Sequence, residues 1–193
     1  MAPERALRAR LAAYLSLLSR WNRRMNLVAF DDPDKAVDRL IVEPLMAAQW
    51  IPGEAGLLID VGSGGGSPAI PLKLALPDLA LVMVESRVRK AAFLQEAVRE
   101  LGLSGTEVAR SRFEALVEAG TLAARMDVVT VRAIRVGTQE LAALGTFLRP
   151  GGRLLWFRAG QGKPPLASGL EVAGEYPLLS GQAGQLSILR KVP

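Results

Sequence analysis

The residues best suited to chemistry lie in the run Asp60-Val61-Gly62-Ser63-Gly64-Gly65-Gly66-Ser67. Glycines at the alternate positions 62, 64 and 66 leave backbone without Cβ atoms, so a ligand can lie close against the chain. The run follows the apolar stretch Leu57 to Val61. It leads into a segment with Pro68 and Pro71, which the start of a helix accepts because its amides are unpaired anyway. A strand, a glycine turn and a helix in this order build the usual crevice of an open α/β sheet. A merely tight turn is the alternative. The spacing distinguishes ligands: a dinucleotide fingerprint requires G-x-G-x-x-G, whereas D-x-G-x-G-x-G favours an S-adenosylmethionine site.

Other residues add to this constellation. Glu85 stands at the end of the next apolar run, twenty-three residues after Gly62, where a carboxylate can accept hydrogen bonds from both ribose hydroxyls. An exposed charge at a strand end is the competing reading. Phe113-Glu114 follows the third run, where an adenine can be stacked or hydrogen-bonded, although both residues also suit a helix start. Arg132 ends the fourth run, beside the crevice, where a guanidinium can hold a methionine carboxylate or a target nucleotide. That strand end lacks the Asn/Asp-Pro-Pro-aromatic element of enzymes that methylate exocyclic amines.

Composition removes several mechanisms. The chain has no Cys and no His. This excludes a thiolate nucleophile, a serine–histidine dyad, the usual nitrogen and sulfur zinc sites, and cytosine C5 methylation through a cysteine. No acidic cluster calls for magnesium, so no metal is expected. What survives is alkylation of an atom that is already nucleophilic, such as guanine N7. Its lone pair needs no base, so no acid or base catalyst is expected, and the rate must come from positioning and electrostatics, with Arg132 as the candidate positioning cation.

The elements that must position these residues are legible as patterns. The 193 residues are half apolar, enough for one domain with a sizeable core. Strand candidates are 57–61, 80–85, 106–110, 127–132 and 153–158, with helices over 87–101 and 138–148 between them. Continuously apolar strands alternating with helices predict a mostly parallel sheet covered on both faces. LEVAGEYPL and QLSILRKV, joined by a turn-rich stretch over 179–184, predict a C-terminal antiparallel hairpin at the sheet edge. The fold expected is therefore a Rossmann-like α/β sheet of the class I adenosylmethionine-dependent methyltransferase kind, with a helical extension at its N-terminus. The loop 160–169 contains Gly162-Lys163, but Pro164 rules out a phosphate loop.

The extension is expected over residues 1–52, and a single compact cofactor-binding unit over 53–193. Leu7, Leu11, Tyr14, Leu15 and Leu18 share one helical face, and Asp31-Asp32-Pro33-Asp34 signals a second helix running to about Gln49. The net charge of +5 resides wholly in residues 1–30, where Arg5, Arg8, Arg10, Arg20, Arg23 and Arg24 face only Glu4. An anionic partner would land here, a solvated arginine face being the alternative. No run of eighteen uncharged apolar residues occurs and the N-terminus lacks a signal-like stretch, so a soluble, cytoplasmic protein without a membrane partner is expected.

Taken together these residues resemble the ribosomal small subunit methyltransferase G family, whose members methylate N7 of a guanine in 16S ribosomal RNA. Trp21-Asn22-Arg23-Arg24-Met25-Asn26-Leu27 is similar to the family's W-N-x-x-x-N-L element, and Asp60 to Pro71 resembles its glycine turn. Leu101-Gly102-Leu103, Arg132-Ala133 and Pro150 to Arg153 fall in family order. The resemblance implies S-adenosylmethionine as cofactor and 16S rRNA or the small ribosomal subunit as partner; the sequence leaves the oligomeric state open, a monomer being the expectation. The candidate cofactor residues are Asp60, Gly62, Ser63, Gly64, Gly66, Ser67, Glu85, Ser86, Phe113, Glu114 and Arg132, and the candidate RNA contacts are Arg20, Arg23 and Arg24. The resemblance sets Glu85 and Ser86 at the ribose, Phe113 and Glu114 at the adenine and Arg132 in the reaction crevice. Departures are Ser67 for a usual Phe or Leu, Ala69 for Gly, and Arg39 with Glu43-Pro44 for a His and an Asp-Ser pair. A lysine expected near the end of strand five is absent, and Arg158 is the nearest cation.

Overall fold

The computed structural model describes residues 3–28, 32–160, 162–179 and 184–192. Helix α1 (Pro3–Asn22) comes first, followed by a broken helical segment, α2 (Pro33–Val37) and α3 (Glu43–Ala47), with a π turn over Asp38–Val42 between them. Strand β1 (Leu57–Val61), α4 (Ala69–Ala75), β2 (Ala80–Val84), α5 (Val88–Glu100), β3 (Thr106–Ala109), α6 (Phe113–Ala119), β4 (Met126–Arg132), α7 (Thr138–Gly145) and β5 (Leu148–Ala159) then alternate. The chain closes on β6 (Leu170–Pro177) and β7 (Gly184–Lys191).

The strands form one sheet in the order β3-β2-β1-β4-β5-β7-β6. The first five run parallel, and β7 is antiparallel to both β5 and β6. The hairpin expected at the sheet edge is therefore present, with its second strand inserted next to β5. Residues 180–183 of the turn expected over 179–184, and Asp31 of the helix-start signal, lie outside the described residues.

Alternation along the strands sorts the core into two layers. Leu58, Leu81, Met83, Val128 and Leu155 face α1, α3, α4 and α5, where Tyr14, Leu18, Ile70 and Phe93 are buried. Ile59, Val129, Val131 and Leu154 face the opposite way, toward Leu141, Leu144 and Phe147. Strand order reverses between β1 and β4, so the crevice of this doubly wound sheet opens beyond Val61 and Arg132.

Two expected boundaries are corrected. The second helix does not run unbroken to Gln49. Asp32 caps α2 as anticipated, its side chain accepting from the amides of Asp34 and Lys35, but the helix widens at 38–42, where the Glu43 amide reaches back to Asp38 O. Pro44 supplies the reason, since it has no N–H with which to continue a regular ladder. The helix expected over 138–148 ends at Gly145, and Leu148 already belongs to β5. This strand begins five residues earlier than expected because Pro150-Gly151 forms an irregularity inside it, with Gly151 at φ 77 and a register shift opposite Met126 to Val128. Pro71, by contrast, sits within the first turn of α4 as expected.

Candidate active site

The cleft at the strand-order reversal has a volume of about 670 Å³. Its floor is the glycine turn. The amides of Gly62 and Ser63 both donate to Val84 O, at 2.9 and 3.0 Å, which ties the turn to the end of β2. Gly62, Gly64 and Gly66 have φ of 75, 51 and 88, in the left-handed region that side chains disfavour. Gly62 also lacks room: a Cβ there would meet Ile134 Cγ2 at 2.7 Å. That approach is created by Ala133, whose φ of 58 reverses the chain after β4 and folds Ile134 onto the turn.

Glu85, just past β2, points at this turn. Its Oε2 accepts the Gly64 amide at 3.0 Å and its Oε1 accepts the Arg87 amide at 2.8 Å. Each carboxylate oxygen has two acceptor positions, so one on each remains for a ligand. The side chain is almost fully buried yet lines the cleft, a pre-aimed acceptor pair. Gly62, Ser63, Gly64, Ser67, Ser86, Phe113, Glu114 and Arg132 line the same cleft. The structure thus brings together residues separated by seventy positions in the chain.

Asp60 and Gly66, also in the expected set, lie beneath the turn rather than on the cleft surface. Asp60 is buried against Thr130, whose hydroxyl donates to Oδ1 at 2.6 Å, and Ser63 Oγ donates to the Asp60 carbonyl at 3.0 Å. Oδ2 is buried without a hydrogen-bond partner. Burial pushes this carboxyl up to about 6, against the pull of the nearby Ser63 hydroxyl and the Thr130 hydrogen bond. Gly66 makes room for packing, since a Cβ would meet Ile70 Cδ1 at 2.5 Å.

Arg132 reaches the cleft with its guanidinium already partnered. It donates to Glu43, which is completely buried, and to Arg39 O, and it lies 4.7 Å above the Phe157 ring. The widened turn of the N-terminal segment explains this. Pro44 cannot bond Arg39 O at π spacing or Leu40 O at α spacing, and both carbonyls accept from the site instead. Arg132 takes the first and Ser67 Oγ takes the second, at 3.0 Å. The Arg39, Glu43-Pro44 and Ser67 departures are thus parts of one contact.

The family-like Trp21-Asn22 element serves to fold the chain. Asn22 Oδ1 accepts the Leu27 and Val28 amides at 2.7 and 3.0 Å, its Nδ2 donates to Val28 O at 2.9 Å, and Trp21 packs edge-on to Phe93. This bends Leu27 and Val28 into the cleft wall. Arg23 and Arg24 are exposed beside it, whereas Arg20 is ion-paired with Glu100 at 2.7 Å. Arg158, the cation nearest to where the lysine is missing, is bonded to Glu175, Gln185 and Ser187.

Sequence reasoning missed the cationic rim. Arg39, Arg87, Lys90, Arg112 and Arg135 line the cleft together with Arg132, against Glu85, Glu114 and Glu140. Lys90 Nζ lies 3.8 Å from where a Gly64 Cβ would stand. Arg87, Lys90, Arg112 and Arg135 share one signal, position shortly after β2, β3 or β4, visible once strand ends are known, whereas Arg39 comes from the N-terminal segment. Among the described residues no group of three or more Asp or Glu is arranged to hold a metal, and no helix is long and apolar enough to cross a membrane. The bare turn, the acceptor pair of Glu85 and the half-buried Phe113 ring fit an adenosyl sulfonium nucleoside.

Comparison with known proteins agrees. A family profile for rRNA small subunit methyltransferase G matches residues 7–168. The ribosomal RNA small subunit methyltransferase G of Stenotrophomonas maltophilia is 44% identical over 155 residues, covering 80% of this chain and 70% of that protein. Its counterpart in Xanthomonas campestris pv. campestris is 38% identical over 173 residues, covering 88% and 79%. A SAM-dependent methyltransferase from Aquifex aeolicus superposes with a TM-score of 0.62 at 16% identity, over 91% of this chain and 98% of that one. An antibiotic-resistance methyltransferase does so with 0.55 at 20% identity, over 77% and 93%. In sequence and in fold, the chain belongs to the rRNA small subunit methyltransferase G family, on the sheet of the class I S-adenosylmethionine-dependent methyltransferases.

Proposed function

We propose that this protein transfers a methyl group from S-adenosylmethionine to N7 of a guanine in 16S ribosomal RNA, working in the cytoplasm on RNA or on the small subunit. The observation that carries this reading is the Glu85 carboxylate bonded to the Gly64 amide on the floor of a cleft rimmed by cations. When bound, the cofactor supplies an electrophilic sulfonium methyl. Glu85 accepts from the ribose hydroxyls with Ser86 beside it, Gly62, Ser63, Gly64 and Ser67 form the bed, and Phe113 with Glu114 flanks the adenine.

The target guanine needs no proton removed, and the cleft lining accordingly holds no His or Cys. Arg132, fixed by Glu43, presents its remaining donors to the reaction crevice as a positioning group. Residues 1–52 act as an RNA-gripping extension of the 53–193 unit, with Arg23 and Arg24 on phosphates and Arg20 joining them by exchanging its Glu100 partner. A guanine turned out of its stack then enters between this extension and the sheet edge.

The test is tritiated methyl transfer to small subunits, and to naked 16S rRNA, from a strain lacking the protein, followed by mapping of the modified base. Label at guanine N7 supports the reading, and label on another atom or only on protein overturns it. Replacing Arg23 and Arg24 by Gln should weaken RNA binding and lower the salt slope by about one to two, leaving cofactor affinity unchanged. An equal fall in cofactor affinity would make these arginines structural.

A further inference from the structure

Tyr14 lies on α1, fifty-one residues before the residue it touches. Its side chain is completely buried, and its hydroxyl donates to Gly65 O at 2.7 Å. That carbonyl belongs to the peptide between Gly65 and Gly66, whose other end is also held, the Gly66 amide donating to Ser63 O at 2.6 Å. The Ser63–Gly64 peptide, two before it, is fixed by Glu85 through the Gly64 amide. The central peptides of the turn are therefore held by Glu85, by the turn's own Ser63 and by a helix outside the sheet.

Gly65 is built for this approach. Its backbone is not in the left-handed region, so no turn geometry demands glycine there. A Cβ would instead meet Val28 Cγ1 at 2.8 Å and Leu18 Cδ1 at 3.3 Å, both belonging to the N-terminal segment. The middle glycine of the run 64–66, surplus to the alternate pattern 62, 64, 66, thus serves the contact with the N-terminal segment. Burial, and next the nearby Asp60 charge, hold the Tyr14 phenol above its ordinary value, so it remains a donor at every working pH.

We propose that Tyr14 is a positioning residue for the cofactor bed: through its hydrogen bond to Gly65 O it fixes the glycine turn in the conformation that receives the nucleoside. Tyr14 touches no substrate in this role and acts only through Gly65. The inference rests on the reading that this turn carries S-adenosylmethionine.

Tyr14→Phe keeps the ring and removes only the donor. Calorimetry with S-adenosylhomocysteine should give a dissociation constant raised about tenfold, as expected for a buried carbonyl that loses its one strong partner. KM for S-adenosylmethionine should rise by a similar factor, while KM for RNA and kcat at saturating cofactor stay within about twofold. Leu144→Ala, on the opposite face of the sheet, provides a variant of lowered stability, and its cofactor affinity should be unchanged. Tyr14→p-aminophenylalanine, which retains a ring donor, should restore affinity, and it replaces the Phe variant if that chain does not fold. Affinity unaltered in Tyr14→Phe, or lowered equally in Leu144→Ala, overturns the positioning role. Absence of binding by the unaltered protein would instead overturn the cofactor reading on which it stands.

Discussion

Arg132 at the end of β4 and Glu43 in the N-terminal segment form an ion pair across eighty-nine residues of sequence, with the glutamate wholly buried and the arginine side chain 12% exposed. Burial draws the guanidinium below its ordinary value, and the glutamate opposes that shift, so each charge helps make the other tolerable. Glu43→Ala should therefore cost roughly 3–5 kcal/mol in urea unfolding, because it strands a cation indoors. The double replacement Glu43→Leu, Arg132→Met should recover most of that loss, since similar apolar volume carries no desolvation penalty. If Arg132 positions the reaction crevice as proposed, the recovered fold will still methylate RNA poorly. A double variant with full activity would restrict Arg132 to a structural role.

Glu85 has two kinds of work to lose. Glu85→Ala removes both the proposed ribose acceptors and the clamps on the Gly64 and Arg87 amides, and should weaken cofactor binding by roughly 1.5–3 kcal/mol. Glu85→Gln retains one acceptor oxygen and should lose less. Calorimetric titration of both variants checks the order, and equal affinity for wild type and Ala would remove Glu85 from the site.

The buried carboxyl of Asp60 makes stability depend on pH in an uncommon direction. Its folded value near 6 lies above the ordinary 3.8, so the folded state holds the proton more tightly than the unfolded chain. The contribution is fully present below about pH 4 and is lost as pH rises through 6, amounting to a few kcal/mol across that window. Asp60→Asn mimics the protonated form. Urea midpoints followed from pH 4.5 to 7.5 should fall with rising pH in the wild type by more than in this variant. Parallel curves would show that Asp60 is not the titrating group.

Much of this architecture was legible because its signals are local. Alternating apolar strands and helices, the D-x-G-x-G-x-G turn and the position of Glu85 each follow from short-range periodicity and spacing, and the sheet order then places them together. What escaped was set by tertiary contact. Tyr14 reads as one more apolar-face residue of α1, and nothing in the spacing marks a hydroxyl that meets Gly65. Arg132 was legible as a cation at the crevice, but its engagement with Glu43 depends on the π turn, whose origin in Pro44 becomes visible only when the carbonyls left over at Arg39 and Leu40 are traced to their new donors. The cationic rim was hidden because its members come from separate parts of the chain, from Arg39 to Arg135.

The glycines of the turn should separate by mechanism when each is replaced by alanine. Gly102 supplies the reference: its φ is 56 but a Cβ there meets nothing within 4 Å, so Gly102→Ala carries only the left-handed backbone penalty of roughly 1–2 kcal/mol. Gly62→Ala adds to that penalty a contact of 2.7 Å with Ile134 in the cleft, and should lower both stability and cofactor affinity. Gly65→Ala has no unfavourable φ, and its cost of roughly 1–3 kcal/mol arises wholly from pushing Val28 and Leu18 away. Because those residues belong to the N-terminal segment, enlarging the space opposite should rescue it: Val28→Ala combined with Gly65→Ala should be more stable than the sum of the single changes by roughly 1 kcal/mol. The same Val28 change should not rescue Gly62→Ala, whose obstruction is Ile134. Additive losses in the 28 and 65 pair, measured by thermal or urea unfolding, would show that Gly65 is not the point at which the N-terminal segment and the turn are fitted together.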